Sequence, residues 1–334
     1  VNDDRAVSRA AKLIANVVTE GKRGLRTMTT VPQGFEELFV TQRSGLRLYG
    51  RHYPPNAAAC IAPATIRRRP LVCLAGLTRN GRDFHELALA LSQGDDARSV
   101  YTLDYRGRGL SDHDAEWRNY SVPMEMQDVI DVLVAQGLSA PAILGTSRGG
   151  LIAMVLAAAQ PSFVGPVILN DIGPVIEPKG LARIATYVGR TPLPRTWADA
   201  AKLVKDMNAR AFPATPETDW EAIARQLFND RNGRPAPGYD PKLANAFSLL
   251  NGPVPAMWAQ FESLLRLPLM VIRGANSDIL SAETVVEMQR RHPAFTAIEI
   301  AGEGHAPWLR DPSSIAAIRR FLASYDTDAV PRLH

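Results

Sequence analysis

The stretch AILGTSRGGLIAM, from Ala142 to Met154, sets one serine between glycines where an apolar run changes its period. A serine hydroxyl is a weak nucleophile at neutral pH. It becomes a useful one beside a base that takes its proton, when that base is itself oriented by a third group. Of the six histidines, His305 in GEGHAPWL is the one that directly follows a strand-like segment late in the chain. His52, His85, His113, His292 and His334 fall in a hairpin, on a helix, in a polar loop, near a helix end and at the last position, where surface or packing roles are expected. For the acid, Asp278 in RGANSDILS lies one short loop beyond the strand-like PLMVIRGA and is the expected partner. Asp171 in LNDIGP, after the preceding strand, is its rival. The structural alternatives are a turn or helix-capping role for Asp278 and a bracing role for Asp171 at the start of the segment that follows it.

The elements that must position these groups are legible in the periodicity. FEELFV (Phe35 to Val40) and LRLYGRHY (Leu46 to Tyr53) alternate with period two around an RSG turn, which predicts a hairpin. PLVCLAGL is continuously apolar, as a strand buried on both faces should be, and DFHELALALSQG reads as a helix closed by Gly94. The alternation continues through strand Ser99 to Tyr105, helix Met124 to Gly137, strand Pro141 to Ser147, helix Gly149 to about Gln160 and strand Pro166 to Ile172. Strands separated by helix-length segments imply right-handed crossovers and a mostly parallel sheet. After Pro174 roughly ninety residues show helical periodicity with no convincing buried strand. Alternation then resumes with strand Pro268 to Ala275, helix Ser281 to His292, strand Thr296 to Gly302 and helix Ser313 to Tyr325. The expected organisation is an extension over residues 1–29, a first core part over 30–174, a helical cap over 175–265 and a second core part over 266–334.

A buried strand that ends at Ser147 and feeds a helix at once needs an abrupt turn with a strained apex. Gly145 and Gly149 give G-x-S-x-G a steric cause, because side chains there would collide where the strand and helix backbones approach. The turn would lift the hydroxyl above the carboxyl ends of the strands, where parallel sheets bind ligands. It would also set the Arg148 N–H at a helix N-terminus. A plain turn or helix N-cap is the bland alternative for such a serine.

The order Ser147, Asp278, His305 is that of the α/β-hydrolases, and the sequence resembles that superfamily over nearly all of residues 35–325. LAGLTRNGRDF after the third strand and DYRGRGLSD after the fourth resemble the family's oxyanion and post-strand segments. Within the superfamily the chain is most similar to poorly characterised bacterial hydrolases related to enol-lactone and ester hydrolases. One departure is Ala75 before Gly76, where many relatives carry His-Gly; a hole built from backbone N–H groups tolerates it. The resemblance implies an α/β-hydrolase fold: a mostly parallel eight-stranded sheet, helices on both faces and a helical cap after strand 6. It implies a serine hydrolase that cleaves a small carboxylic ester or lactone through an acyl-enzyme. His305 would be the base, Asp278 its orienting acid, and the N–H groups of Leu77 and Arg148 the oxyanion hole. Arg79, Arg148 and Trp308 are the candidate substrate contacts, the two arginines for a substrate carboxylate. Diketone hydrolysis, perhydrolysis and acyl transfer use the same three groups, and a non-catalytic ligand-binding scaffold is the reading outside enzymes. Serine rather than aspartate at the elbow disfavours chemistry through alkyl-enzyme esters.

Composition narrows the rest. Apolar residues at 46% and charged residues at 22% are ordinary for a globular chain. A formal charge of +4, spread thinly, is no nucleic-acid footprint, and the RRR at Arg67 to Arg69 reads as a solvated surface loop. No metal or cofactor is expected: the chain has no His-Glu-x-x-His, no cysteine cluster and no phosphate-binding G-x-x-x-x-G-K-[ST], and RGRGLSD lacks dinucleotide spacing. The two cysteines read as a loop residue, Cys60, and a small core residue, Cys73. The longest apolar block, Leu151 to Ala159, is far short of the ~18 residues of a membrane span, and the acidic start does not resemble a secretory signal, so a cytoplasmic protein is expected. Bulky cap residues such as Tyr187, Met207, Phe212, Trp220, Phe228, Tyr239 and Phe261 are expected mostly to pack the cap onto the core.

Overall fold

The structure, a computed structural model, describes residues 34–56, 66–248 and 254–328. The expected extension over residues 1–29 and Cys60 lie outside them. Eight strands form one sheet: β1 (Glu36–Thr41), β2 (Arg47–Tyr53), β3 (Leu71–Leu74), β4 (Val100–Asp104), β5 (Ala142–Thr146), β6 (Val167–Asn170), β7 (Leu269–Gly274) and β8 (Phe295–Ile300). Their spatial order is β1-β2-β4-β3-β5-β6-β7-β8. The first two strands pair antiparallel with each other, β2 pairs antiparallel with β4, and every later pairing is parallel. This is the architecture that the resemblance to the α/β-hydrolases implies, with the insertion following β6.

Period two decides which side of the sheet each residue serves. On β3, Val72 and Leu74 join one core cluster while Leu71 and Cys73 join the other, on the opposite face. Helices α2 (Val122–Ala135) and α3 (Arg148–Ala159) cover the first face, through Val129, Leu133, Ile152 and Leu156. Helices α1 (His85–Leu91) and α10 (Pro312–Ala323) cover the second, through Leu87, Leu91, Ile318 and Phe321. The central helix α3 buries residues around most of its circumference, as a helix enclosed by sheet and neighbours must.

Between β6 and β7 the chain passes through α4 (Pro178–Tyr187), α5 (Trp197–Asn208), α6 (Trp220–Leu227), α7 (Leu243–Ser248) and α8 (Trp258–Glu262). Helix α5 starts at a capping box in which Thr196 and Asp199 satisfy each other's backbone N–H groups. Ala200, Val204, Phe212, Trp220, Ile223 and Ala224 form a small core of the insertion's own. The structure adds a short hairpin, Asn229–Arg231 with Arg234–Ala236, where the sequence pattern predicted only helices. Asn232 and Gly233 both have positive φ, the requirement of a type I′ hairpin turn, so the Asn-Gly pair was the available signal. The start of the arginine run also departs from the expected loop, since Ile66–Arg67 pairs as a two-residue strand with Thr327–Asp328. Helix α9 (Ala282–Arg291) follows β7.

The turn from β5 into α3 brings strand and helix backbones into close contact. A Cβ on Gly145 would lie 2.5 Å from the carbonyl of Gly149, and one on Gly149 would lie 2.1 Å from the Leu74 carbonyl oxygen. Backbone atoms cannot step aside, so Gly149→Ala is expected to destabilise the fold by about 3 kcal/mol or more, at the upper end of overpacking. Thermal or urea unfolding of the purified variant checks this; a midpoint equal to the wild type's would contradict the account of the turn.

Candidate active site

Ser147 stands at the apex of that turn with φ 51° and ψ −113°, a strained backbone conformation for a residue with a Cβ. Its N–H donates to the Asn170 carbonyl on β6, and its own carbonyl receives the N–H groups of Gly150 and Leu151 in the first turn of α3. The serine is thus held from both sides while its hydroxyl projects at the carboxyl edge of the sheet. His305, in the loop after β8, places Nε2 at 2.9 Å from Ser147 Oγ. The other ring nitrogen, Nδ1, lies 2.8 Å from Asp171 Oδ2. A carboxylate only accepts, so Nδ1 carries the proton; in the neutral ring Nε2 is then the acceptor facing the serine hydroxyl.

The acid in this line is Asp171, and the expectation of Asp278 is corrected. Asp171 is wholly buried just past β6, at φ 55°. Its Oδ1 accepts the Gly274 N–H at 2.9 Å, and its Oδ2 accepts the Ser277 hydroxyl at 2.6 Å as well as the histidine. Asp278 instead forms a two-bonded ion pair with Arg183 of α4, at 2.6 and 2.8 Å. Helix α4 can reach it because Gly180 lets the helix rest on the Asp278 backbone, where a Cβ would come within 2.3 Å of the carbonyl oxygen. The hydrogen bonds from Arg183 hold the Asp278 carboxyl below its ordinary range.

The loop after β3 borders the serine: a Cβ on Gly76 would sit 3.9 Å from Ser147 Cβ. The next residue, Leu77, and Arg148 at the start of α3 present backbone N–H groups that find no acceptor among the described residues. A cavity of about 270 Å³ opens over the serine, walled by Leu77, Arg79, Tyr187, Met207, His305 and Trp308 among others. Of the candidate substrate contacts, Trp308 and Arg79 therefore border the cavity, with Arg79 bound through two hydrogen bonds to Asp83, at 2.6 and 2.7 Å. Arg148 does not: its Nε donates to Glu125 at 2.7 Å, inside the core. A substrate carboxylate is thus not available to the Arg148 side chain, which already serves a buried carboxylate. Among the described residues no group of three or more His, Cys, Asp or Glu could hold a metal ion, and no helix is long and apolar enough to cross a membrane.

Residues 71–318 match the model of the Alpha/beta hydrolase family. The chain belongs to this family. It is 34% identical over 284 residues to the 3-hydroxybutyrate-oligomer hydrolase of Cupriavidus necator, covering 79% of this chain and 95% of that protein. It is 26% identical over 286 residues to esterase YbfF of Escherichia coli, covering 80% and 98%. Among solved structures, an alpha/beta hydrolase from Novosphingobium aromaticivorans superposes with a TM-score of 0.78 at 38% identity, over 87% of this chain and 98% of that one.

Sequence reading of this hydrolase missed the groups that support the site. Ser277 braces Asp171, and Asn170 donates to the Pro307 carbonyl at 3.1 Å, tying β6 to the histidine loop. A larger omission is Arg108, noted only as part of the DYRGRGLSD segment after the fourth strand. Its fully buried guanidinium donates from Nε to the Leu77 carbonyl at 2.9 Å, and its Nη2 lies 2.6 Å from Oε1 of the equally buried Glu125. The other oxygen of Glu125 holds Arg148. One ion cluster therefore reaches both residues whose N–H groups find no acceptor among the described residues.

Burial pushes the Glu125 carboxyl up, but the Arg108 and Arg148 charges outweigh it and leave the group below its ordinary value of 4.5. A depressed carboxyl stabilises the fold above its unfolded-state pKa and loses that contribution as pH falls through the folded value. Glu125→Gln leaves the buried Arg108 guanidinium and the part-buried Arg148 guanidinium without a counter-charge and is expected to cost about 3–5 kcal/mol at pH 7. Urea unfolding should show this gap between wild type and variant narrowing as the pH drops below 4.5. A gap independent of pH would contradict the ion-cluster account.

Proposed function

We propose that this protein is a serine hydrolase that cleaves small carboxylic esters through an acyl-enzyme on Ser147. The observation that carries the reading is the hydrogen-bonded line in which His305 lies 2.9 Å from Ser147 Oγ and 2.8 Å from Asp171. His305 Nε2 takes the hydroxyl proton as Oγ attacks the ester carbonyl, and Asp171 stabilises the imidazolium that forms. The tetrahedral oxyanion accepts hydrogen bonds from the Leu77 and Arg148 N–H groups; such a donor contributes about 3–4 kcal/mol in comparable sites. Collapse of the intermediate breaks the bond to the alcohol oxygen, which leaves with the proton from His305. Water then repeats the sequence against the acyl-serine ester and frees the acid. No cofactor or metal takes part in this scheme, and opening a lactone would follow the same steps.

The cavity of about 270 Å³ lies just below the range of drug-sized ligand sites, which supports a small substrate. Similarity to the 3-hydroxybutyrate-oligomer hydrolase over 95% of its length supports an ester bond as the one cleaved. The test pairs Ser147→Ala with active-site labelling. Wild type is expected to hydrolyse p-nitrophenyl acetate or a 3-hydroxybutyrate dimer and to take one fluorophosphonate at Ser147. The variant should fold, lose the adduct and lose turnover by about 10⁴-fold or more. A wild type that takes no adduct would favour the non-catalytic binding scaffold, and an active Ser147→Ala would remove the assignment.

A further inference from the structure

Behind the cavity over Ser147 lies a second chamber of about 110 Å³, and the two share Thr78, Tyr187, Met207 and Leu227 as a common wall. We infer that this annex binds an unbranched hydrocarbon arm of the ester, an inference that rests on the reading of Ser147 as nucleophile. The chemistry of the two linings differs sharply. The chamber over the serine carries Arg79, Asp83 and Arg183, whereas among the described residues no charged side chain borders the annex. Its distinctive surface is Leu203 and Val204 of α5, with Phe228, Pro237 and Pro241 from the insertion. Two of its hydroxyls already serve the backbone: Tyr239 Oη accepts the Gly189 N–H at 3.0 Å, and Thr191 Oγ1 donates to the Tyr187 carbonyl at 2.9 Å. A charged or strongly polar group entering here would lose water and find few partners, while a methylene chain would lose nothing.

Size sets the length of that arm. An apolar cavity of about 150 Å³ accommodates benzene, so the annex should take roughly four carbons in a row. Met207 stands in the dividing wall, and its unbranched, adaptable side chain suits a partition that a chain must pass. On the outer side, Leu193 borders the annex although it is 54% exposed, an apolar residue left facing water on the cap surface. Filling the annex with substrate would give that side chain an apolar neighbour.

Two ester series distinguish which arm enters: p-nitrophenyl esters from acetate to octanoate vary the acyl side, and methyl to hexyl acetates followed by acid release vary the alcohol side. In one series kcat/KM is expected to climb about fourfold per methylene for about four carbons, then level off. Leu203→Trp, which narrows the annex, should abolish the climb, lowering the long-to-short ratio by tenfold or more. Met207→Ala, which thins the wall, should move the plateau to longer chains, so the proposal is still decided if the tryptophan variant fails to fold. A flat response in both series, or a climb untouched in a folded Leu203→Trp and Met207→Ala pair, would overturn the annex. If Ser147 of the wild type still takes fluorophosphonate, that failure leaves the hydrolase reading standing; without the adduct both readings fall.

Discussion

Between β5 and α3 the two main chains approach to separations that leave no room for a Cβ at Gly145 or Gly149, and Ser147 is left at positive φ on the crest between them. Everything else at the site is placed relative to this contact. The strand fixes where the serine N–H meets β6, the helix fixes where the Arg148 N–H points, and the Leu74 carbonyl packed against Gly149 brings β3 and its following loop alongside. Because the turn is set by backbone sterics, it needs no support from the solvent-facing side of the molecule. The strained apex is tolerated since the surrounding sheet and helix are almost wholly buried.

Around this fixed point the buried carboxylates divide the work of holding loops together. Asp171 joins β6 to the start of the loop after β7 and to His305. Asp104 accepts the N–H groups of Gly81 and Leu110, binding the loops after β3 and β4 to one another. Glu125 stands between Arg108 and Arg148, so its two oxygens connect the loop after β4 to the elbow. The cap rests on these same loops. Asn80 reaches the Gln226 carbonyl at 2.9 Å, Gly109 N–H donates to Gly238, and Tyr120 Oη donates to Asp240 at 2.6 Å. A cap seated directly on the segments that carry Leu77 and Arg108 can shape the cavity over Ser147 although it lies far from that serine in sequence.

The order of strands and helices was readable because a parallel strand buried on both faces leaves a continuous apolar run, and each crossover helix leaves a window of the right length. Ser147 was readable because glycines at both flanks have a local steric cause, and His305 because it directly follows the last strand of the alternation. The choice between Asp171 and Asp278 was not. Both follow neighbouring parallel strands at the same sheet edge, and what separates them is Arg183, which comes from a helix 95 residues away along the chain. Arg108 and Glu125 were hidden for a similar reason, since a charged residue in a loop or on a helix looks solvated until its partner across the fold is known. The cap hairpin was short and exposed, so only its Asn-Gly turn carried a signal.

Which carboxylate serves His305 decides how the serine is activated, and the turnover of p-nitrophenyl acetate by Asp171→Asn and Asp278→Asn, measured side by side on folded protein, is the most direct test. Asp171→Asn should lower kcat by about 10³–10⁴-fold, because an amide in that position no longer enforces the needed tautomer or balances the imidazolium. Asp278→Asn should lose less than about tenfold, since it releases only an ion pair between the cap and a loop. The opposite ranking would contradict the line drawn from Ser147 through His305 to Asp171.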